Sequence, residues 1–142
     1  MPGTADPNNS KNDLSKKILI IDTDEFLAKL FRYKLEADGF AVTVLTDTAK
    51  ALATIREGGF DLVLTELLLD DFDGFELLQA LKKSPQDRGA ARIIAFTRLG
   101  GKEDAETARR LGADDIWVKT EMTPQEVILR IKMELAKRAD KK

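Results

Sequence analysis

The 142-residue chain has the length of one ordinary domain, because a chain of this size buries a single core. Its composition, 43% hydrophobic and 34% charged, excludes fibrous, wholly disordered and small disulfide-bonded proteins. The absence of Cys and His excludes thiolate nucleophiles, imidazole bases and zinc sites built on these residues, and the net charge of -2 gives no general reason to bind nucleic acid or anionic lipid.

The two ends of the chain differ from its middle. Residues 1–15 are rich in turn formers and carry no periodicity, which predicts a disordered leader. This polar start is not a secretory signal, and no apolar run approaches the roughly 20 residues that cross a bilayer. A cytoplasmic location without membrane contact is therefore expected. Residues 139–142 are expected to be a frayed basic terminus, so that the folded domain spans 16–138.

Short apolar runs recur through the folded part and predict five strands. They are Ile18–Ile21, Ala41–Leu45, Leu62–Leu64, Ile93–Phe96 and Ile116–Val118. Runs that are apolar on nearly every residue are typical of parallel strands covered on both faces.

Apolar residues spaced three and four apart predict a helix after each strand. The first four helices are marked by residues 26–35, 52–55, 75–81 and 105–111. The fifth opens at Thr123-Pro-Gln-Glu126, which has the form of a capping box with proline in its first turn. Strict alternation of strands and helices predicts an α/β protein with a right-handed, doubly wound sheet. Its ligand crevice is expected beyond the carboxyl ends of the strands.

Polar side chains follow the predicted strands at this edge of the sheet. They are Asp22, Thr23 and Asp24 after the first strand, Glu66 after the third, Thr97 and Arg98 after the fourth and Lys119 after the fifth. Each has an ordinary role open to it, such as a helix cap for Asp24. Together, however, three acids, a hydroxyl and a lysine could hold a divalent cation or neutralise a phosphoryl group, so their convergence favours a site.

Four segments resemble, in order and spacing, the signature segments of response regulator receiver domains. They are residues 18–26, 61–74, 93–97 and 112–119. The resemblance covers about residues 16–137, which is nearly all of the predicted folded chain. It implies a flavodoxin-like (βα)5 fold with a five-stranded parallel sheet of order 2-1-3-4-5 and helices on both faces.

In that family two acids after the first strand bind Mg2+, an aspartate after the third accepts phosphate from a histidine kinase, and a Ser or Thr after the fourth senses it. A lysine after the fifth strand completes the site. Asp22, Thr97 and Lys119 match these positions. The departures are Thr23 for the second acid, Glu66 for the phosphoacceptor, Asp70 for a loop proline, Arg98 for a small residue, Ile116 for an aromatic switch residue and Thr120 for a proline.

The departures predict a site that has lost phosphotransfer. The extra methylene of Glu66 moves its carboxylate by about 1.5 Å toward Lys119 and out of line for attack. Thr23 offers a neutral hydroxyl where Mg2+ prefers an anionic oxygen. Asp22 and Asp24 remain as candidate ligands for weakly bound Mg2+, so no cofactor is expected to be required.

Two roles for Glu66 stay open from the sequence. Its carboxylate could mimic an acyl phosphate by bridging to Lys119 and Thr97, although it carries a smaller charge. Alternatively, Glu66, Lys119 and Arg98 form a salt-bridge network that only stabilises the strand ends. Arg98 is expected to pair with Glu66, Asp22 or Asp70 and to fill the space of a phosphoryl group.

The fourth helix, fifth strand and fifth helix are predicted to form the face that binds a protein partner, including a second copy of the chain. Asp114, Asp115 and Arg130 resemble charged positions that some family members use there, and they also suit any solvated surface. Trp117 lies close to this face. It would anchor a partner if it were exposed, but a core position is favoured in a parallel sheet.

The sequence therefore predicts a stand-alone pseudo-receiver, not an enzyme, that signals by protein–protein interaction without phosphorylation. One alternative is a switchable receiver in which Glu66, Asp70 or Asp71 accepts phosphate. A second, from a different class, is a small metal-dependent phosphotransfer or hydrolytic enzyme. It is disfavoured because the chain has no activated nucleophile or histidine base and too few acids for a two-metal site.

Overall fold

A computed structural model of the chain describes residues 16–69 and 73–140. The predicted leader, residues 1–15, lies outside the described residues. Of the predicted frayed end, residues 139 and 140 belong to the last helix, and residues 141 and 142 lie outside the described part.

The described residues form a five-stranded parallel sheet. Its strands are β1 (Lys17–Ile21), β2 (Ala41–Leu45), β3 (Leu62–Thr65), β4 (Arg92–Thr97) and β5 (Asp115–Val118). Their spatial order is β2-β1-β3-β4-β5, with every neighbouring pair parallel. The predicted fold class and strand order are confirmed.

A helix follows each strand, as predicted. The helices are α1 (Glu25–Ala37), α2 (Ala51–Gly58), α3 (Gly74–Lys83), α4 (Lys102–Arg110) and α5 (Pro124–Asp140). Three shorter pieces were not predicted: a short helix at Pro85–Arg88 and single 3-10 turns at Thr48–Lys50 and Lys119–Glu121. Such short pieces bury too little surface to impose a hydrophobic period on the sequence.

Side-chain caps determine where several helices begin. Asp24 Oδ1 accepts the Leu27 amide at 3.1 Å at the start of α1. At α5 the predicted capping box is present: Thr123 N donates to Glu126 Oε1 at 2.8 Å, and Glu126 N donates to Thr123 Oγ1 at 3.2 Å. These bonds satisfy amide groups that have no partner within the helix.

The core consists of two apolar layers, one on each face of the sheet. Alternate strand residues such as Ile18 and Ile20 pack with α1 and α5, whereas Leu19 and Ile21 pack with α2, α3 and α4. Both faces are therefore covered, which explains why the strands are apolar on successive residues. Among the described residues, no helix has the length and apolar character to cross a membrane. The cytoplasmic location stays a prediction.

Gly74, the first residue of α3, lies directly against the backbone that follows β3. A Cβ atom at this position would lie 2.5 Å from Leu67 Cα and 2.8 Å from the Glu66 carbonyl oxygen. The Gly74 amide also donates to the Leu67 carbonyl at 3.0 Å. Glycine therefore allows α3 to fasten the chain segment that carries Glu66.

We expect Gly74→Ala to lower the free energy of unfolding by about 1–3 kcal/mol, because the new methyl group has only backbone atoms to displace. Chemical denaturation of the purified variant measures this loss. Gly100→Ala is the matched control, since a Cβ there meets only Val118 Cγ1 at an ordinary 3.5 Å. Equal stability of the two variants would show that the α3 start is not tightly held.

Candidate functional site

A small open cavity of about 140 Å³ lies beyond the carboxyl ends of the strands. It is lined by Asp22, Thr23, Asp24, Glu66, Leu68, Arg98 and Lys119. Asp22, Glu66 and Lys119 are each the first residue after their strand. The parallel register aligns Ile21 with Thr65, so the strand ends bring these side chains to one edge of the sheet, as the sequence predicted.

The Lys119 ammonium lies between two buried carboxylates. Its Nζ is 2.6 Å from Asp22 Oδ2 and 3.0 Å from Glu66 Oε1. Asp22 is 4% exposed and Glu66 2% exposed. Lys119 Nζ also lies 5.5 Å from the centre of the Phe96 ring. Two negative charges thus share one positive charge at the strand ends.

The second oxygen of Glu66 turns back onto the main chain. Glu66 Oε2 accepts the Leu67 amide at 2.6 Å and the Leu68 amide at 2.9 Å. Oε1 has no hydrogen bond of good geometry within the described residues, and the Lys119 ammonium is its ion-pair partner. The sequence did not predict these two hydrogen bonds, because every residue except proline has a backbone N–H and residue types do not show which of them faces a side chain.

Thr97, at the end of β4, is fully buried and oriented by the following loop. Its Oγ1 accepts the Leu99 amide at 3.2 Å. A hydroxyl that accepts in this way still has its own hydrogen to donate. Thr97 helps to lower the pKa of Glu66, although no hydrogen bond of good geometry joins the two within the described residues.

The environment lowers the pKa of Glu66 below its ordinary value. Burial alone raises this pKa, but the opposing effects are larger in sum. They are side-chain hydrogen bonding from Thr97, the Leu68 amide and the charge and hydrogen bonding of Lys119. Glu66 is accordingly a buried anion at neutral pH.

The two acids after β1, Asp22 and Asp24, accept hydrogen bonds from backbone amides. Asp22 Oδ1 accepts the Asp24 amide at 3.0 Å, and Asp24 caps α1 through Oδ1. Thr23 is half-buried and contributes only a hydroxyl. Within residues 16–69 and 73–140, no three acidic side chains are grouped so that they could hold a metal ion. Thr23 therefore gives Mg2+ a neutral hydroxyl where the family has a carboxylate, which makes the fit poorer.

Arg98 lines the cavity, but it makes no ion pair with Glu66 or Asp22. Its side chain is exposed, and both of these acids pair with Lys119 instead. The proposed blocking role of Arg98 stays a prediction. Asp70, the third candidate partner of Arg98, lies outside the described residues. So does Asp71, which was named together with Asp70 as an alternative phosphoacceptor.

Asp114 contacts β4 at the amino ends of the strands, the end of the sheet opposite to the cavity. Its carboxylate pairs with Arg88, accepts the Ile93 amide at 2.8 Å and lies 3.6 Å from Arg92. Arg92 in turn pairs with the buried Glu134 of α5 at 2.7 Å. These intramolecular contacts give Asp114 a structural role, whereas the sequence suggested partner contact.

Trp117 belongs to the core, at 1% exposed, and reaches the predicted partner face only indirectly. Its Nε1 donates to Asp115 Oδ2 at 3.0 Å, and the Arg130 guanidinium lies 5.7 Å from the centre of its ring. Beside Arg130, Leu129 and Met133 are 58% and 53% exposed. These two residues interrupt the apolar period of α5, a signal that sequence reasoning did not use.

Ile116, predicted as the switch position, is half-buried on the α2, α3 and α4 side of the sheet. Its amide donates to Asp115 Oδ1 at 2.9 Å. An aliphatic side chain here packs without a polar tip that could reorient toward Thr97.

A family model described as the response regulator receiver domain matches residues 18–132. The chain is 34% identical over 122 residues to regulatory protein VanRc of Enterococcus gallinarum, covering 86% of this chain and 51% of the relative. It resembles the crystal structure of a CheY-like receiver domain protein from Methanospirillum hungatei JF-1, with a TM-score of 0.78 and 28% identity over 90% of this chain and 99% of that one.

The chain spans about half the length of the curated relatives it matches. One of them, 30% identical over 127 residues and matched over 89% of this chain and 54% of its own length, is named DNA-binding response regulator MtrA of Mycolicibacterium smegmatis. The expectation of no nucleic-acid partner therefore has no support from the relatives.

The lowered pKa of Glu66 predicts a specific loss of stability in acid. A carboxylate whose folded pKa is depressed adds stability above its unfolded pKa, and that stability is lost as pH falls through the folded value. We expect the free energy of unfolding to decline below about pH 5, and to decline less steeply in Glu66→Gln. Denaturant titrations from neutral pH downward measure both slopes.

Glu103→Gln is the control, since Glu103 is exposed on α4 and makes no ion pair in the described part of the chain. It should follow the wild-type curve. A Glu66→Gln curve parallel to the wild type would mean that Glu66 gains nothing from its partners.

Proposed function

Because the chain belongs to the response regulator receiver domain family, we propose that it is a pseudo-receiver whose Glu66 carboxylate takes the place of the phosphorylated aspartate. It acts in signal transduction by binding a protein partner, not by catalysis. The observation that carries the proposal is the set of donors on one carboxylate: the Leu67 and Leu68 amides and the Lys119 ammonium. The Thr97 side chain adds to their effect on the pKa of Glu66.

These donors are of the kind that would stabilise a phosphoryl group at the same position. Here Glu66 uses them itself, so an incoming phosphoryl group would have to compete with a buried, ionised carboxylate. Its own oxygen is also a poor nucleophile, because Oε2 accepts two amides and Oε1 faces an ammonium. The geometry thus favours permanent occupation of the site over a phosphorylation cycle.

The same contacts support mimicry over a purely structural network. Thr97 is the position that senses phosphate in the family, and here it helps to lower the pKa of Glu66. Lys119 follows β5, the strand that contains Trp117. Because Glu66 pairs with Lys119, a change at Glu66 can reach β5 through this one contact. β5 forms the predicted partner face together with α4 and α5.

That face offers a surface of mixed character. Leu129 and Met133 are exposed on α5, and Arg130 lies between them in sequence. An apolar pair beside an arginine is the composition that protein interfaces favour. We propose that a protein partner, which includes a second copy of this chain, binds here. The stand-alone organisation stays a prediction.

We expect the wild-type protein to remain unmodified after incubation with acetyl phosphate and Mg2+, because Glu66 is the wrong length and already bonded. Intact-protein mass spectrometry checks for one added phosphoryl group. The combined variant Thr23→Asp, Glu66→Asp and Arg98→Ala should gain that group. Phosphoryl uptake by the wild type at Glu66 would favour the switchable receiver instead.

We expect Glu66→Gln and Thr97→Ala to shift the Trp117 indole resonance in the same direction, since the first removes the carboxylate charge and the second the hydroxyl that helps to stabilise it. The indole N–H is a built-in reporter because it donates to Asp115 on the partner-face side of β5. Two-dimensional NMR in EDTA measures the shift, and Glu103→Gln serves as the control. Changes confined to residues beside Glu66 would support the structural network.

A further inference from the structure

We infer that the free edge of β2 is a docking surface for a second copy of this chain, so that the β2 strands of two copies pair antiparallel and join their sheets. Among the described strands, β2 is the outermost at one side of the sheet and pairs only with β1. β5 is outermost at the other side. The β2 edge is therefore a surface apart from the α4, β5 and α5 face, and the inference does not depend on the proposed function.

The main-chain groups of β2 point to two sides. The Ala41 amide donates to the Lys16 carbonyl at 3.0 Å, so Ala41 and every second residue after it bond toward β1. The N–H and C=O groups of Val42 and Val44 point away from β1, because successive peptide groups of a strand alternate in direction. In the described part of the chain no group bonds to them from that side. The edge thus offers the donors and acceptors that an added strand requires.

The sequence of β2 lacks the features that normally keep an edge strand unpaired. Ala41–Leu45 reads AVTVL, with neither a charge nor a proline, and its β-branched residues suit a strand. The ladder with β1 continues over the whole strand, so no bulge turns the edge away. β5, by contrast, begins with Asp115, which pairs with Arg109 at 3.5 Å. Of the two outer strands, β2 is the uncharged one.

Two copies of this edge fit each other about a two-fold axis at Thr43. With Thr43 opposite the partner's Thr43, Val42 lies opposite the partner's Val44, and these two residues exchange both main-chain hydrogen bonds. Symmetry repeats the exchange. Thr43 then forms a closely spaced pair without main-chain hydrogen bonds, and its exposed side chain meets its own copy. Asp47, the first charge after the strand, lies opposite the partner's Gly39, so this register does not oppose like charges.

Sedimentation velocity of the full chain tests the inference. Two short strands bury an area at the low end for specific interfaces, so we expect a weak dimer with a dissociation constant on the order of 100 µM. The sedimentation coefficient should rise toward that of a dimer between about 10 µM and 1 mM protein.

Amide hydrogen exchange by NMR at the two ends of this concentration range gives the second readout. The Val42 and Val44 amides should exchange several-fold more slowly in the concentrated sample, because they donate across the interface. The Thr43 amide already faces β1 and is the internal control, so its exchange rate should not change.

Thr43→Lys should weaken the association by about tenfold or more, because it places like charges directly opposite each other. Thr43→Glu should do the same. An equimolar mixture of the two variants should associate again, since opposite charges then meet at the axis. Gln79→Lys adds the same charge at an exposed position of α3 and should associate like the wild type.

Leu129→Glu separates this edge from the face of the proposed function, since Leu129 is exposed on α5. It should leave the association unchanged, and loss of the dimer in this variant would overturn the inference. So would a wild type that stays monomeric, unprotected Val42 and Val44 amides, or a mixture of the Thr43 variants that does not associate. The wild-type measurements decide even if a Thr43 variant does not fold. Failure of the proposed function is seen separately, in phosphoryl uptake and in the indole shift.

Discussion

The burial of two carboxylates beside one ammonium is the constraint on which the functional end of this domain depends. Asp22 and Glu66 are almost fully buried, and an isolated buried carboxylate is strongly disfavoured. Lys119 makes their burial tolerable, and the backbone amides complete the solvation that water would provide. The three residues follow β1, β3 and β5, so the ion cluster also fixes how these strand ends meet.

The contacts of Glu66 bear on the two roles that were open for it. A network that only stabilised strand ends would need charges of opposite sign in proximity. The observed carboxylate also accepts two convergent amides, those of Leu67 and Leu68. Donors from the loop after β3 and from Lys119 after β5 converge on one point, which the side chain of Glu66 occupies. A single negative charge with two oxygens uses such a site less fully than a phosphoryl group would.

The fold could be predicted from the sequence because its causes are periodic. Runs apolar on both faces indicated a parallel sheet, and the capping box at Thr123 marked the start of α5 correctly. The residues that line the site were predicted, but which of them form ion pairs with one another was not. Arg98 is charged and adjacent to the sensor, so Glu66, Asp22 and Asp70 were its candidate partners, yet Lys119 pairs with Asp22 and Glu66 and Arg98 is exposed. The Leu67 and Leu68 amides depend on the path of the loop, which residue types do not reveal.

β5 connects this site to α5, and the packing of Trp117 limits how far β5 can move relative to α5. Lys119, just after β5, is held by ion pairs with two carboxylates. Trp117, two residues earlier, packs between the sheet and α5. Its indole bonds Asp115, and its ring lies beneath Arg130. A rigid, fully packed ring cannot swing outward as an exposed aromatic could. Any influence of Glu66 on Leu129, Arg130 and Met133 must therefore travel as a small displacement of β5 against α5.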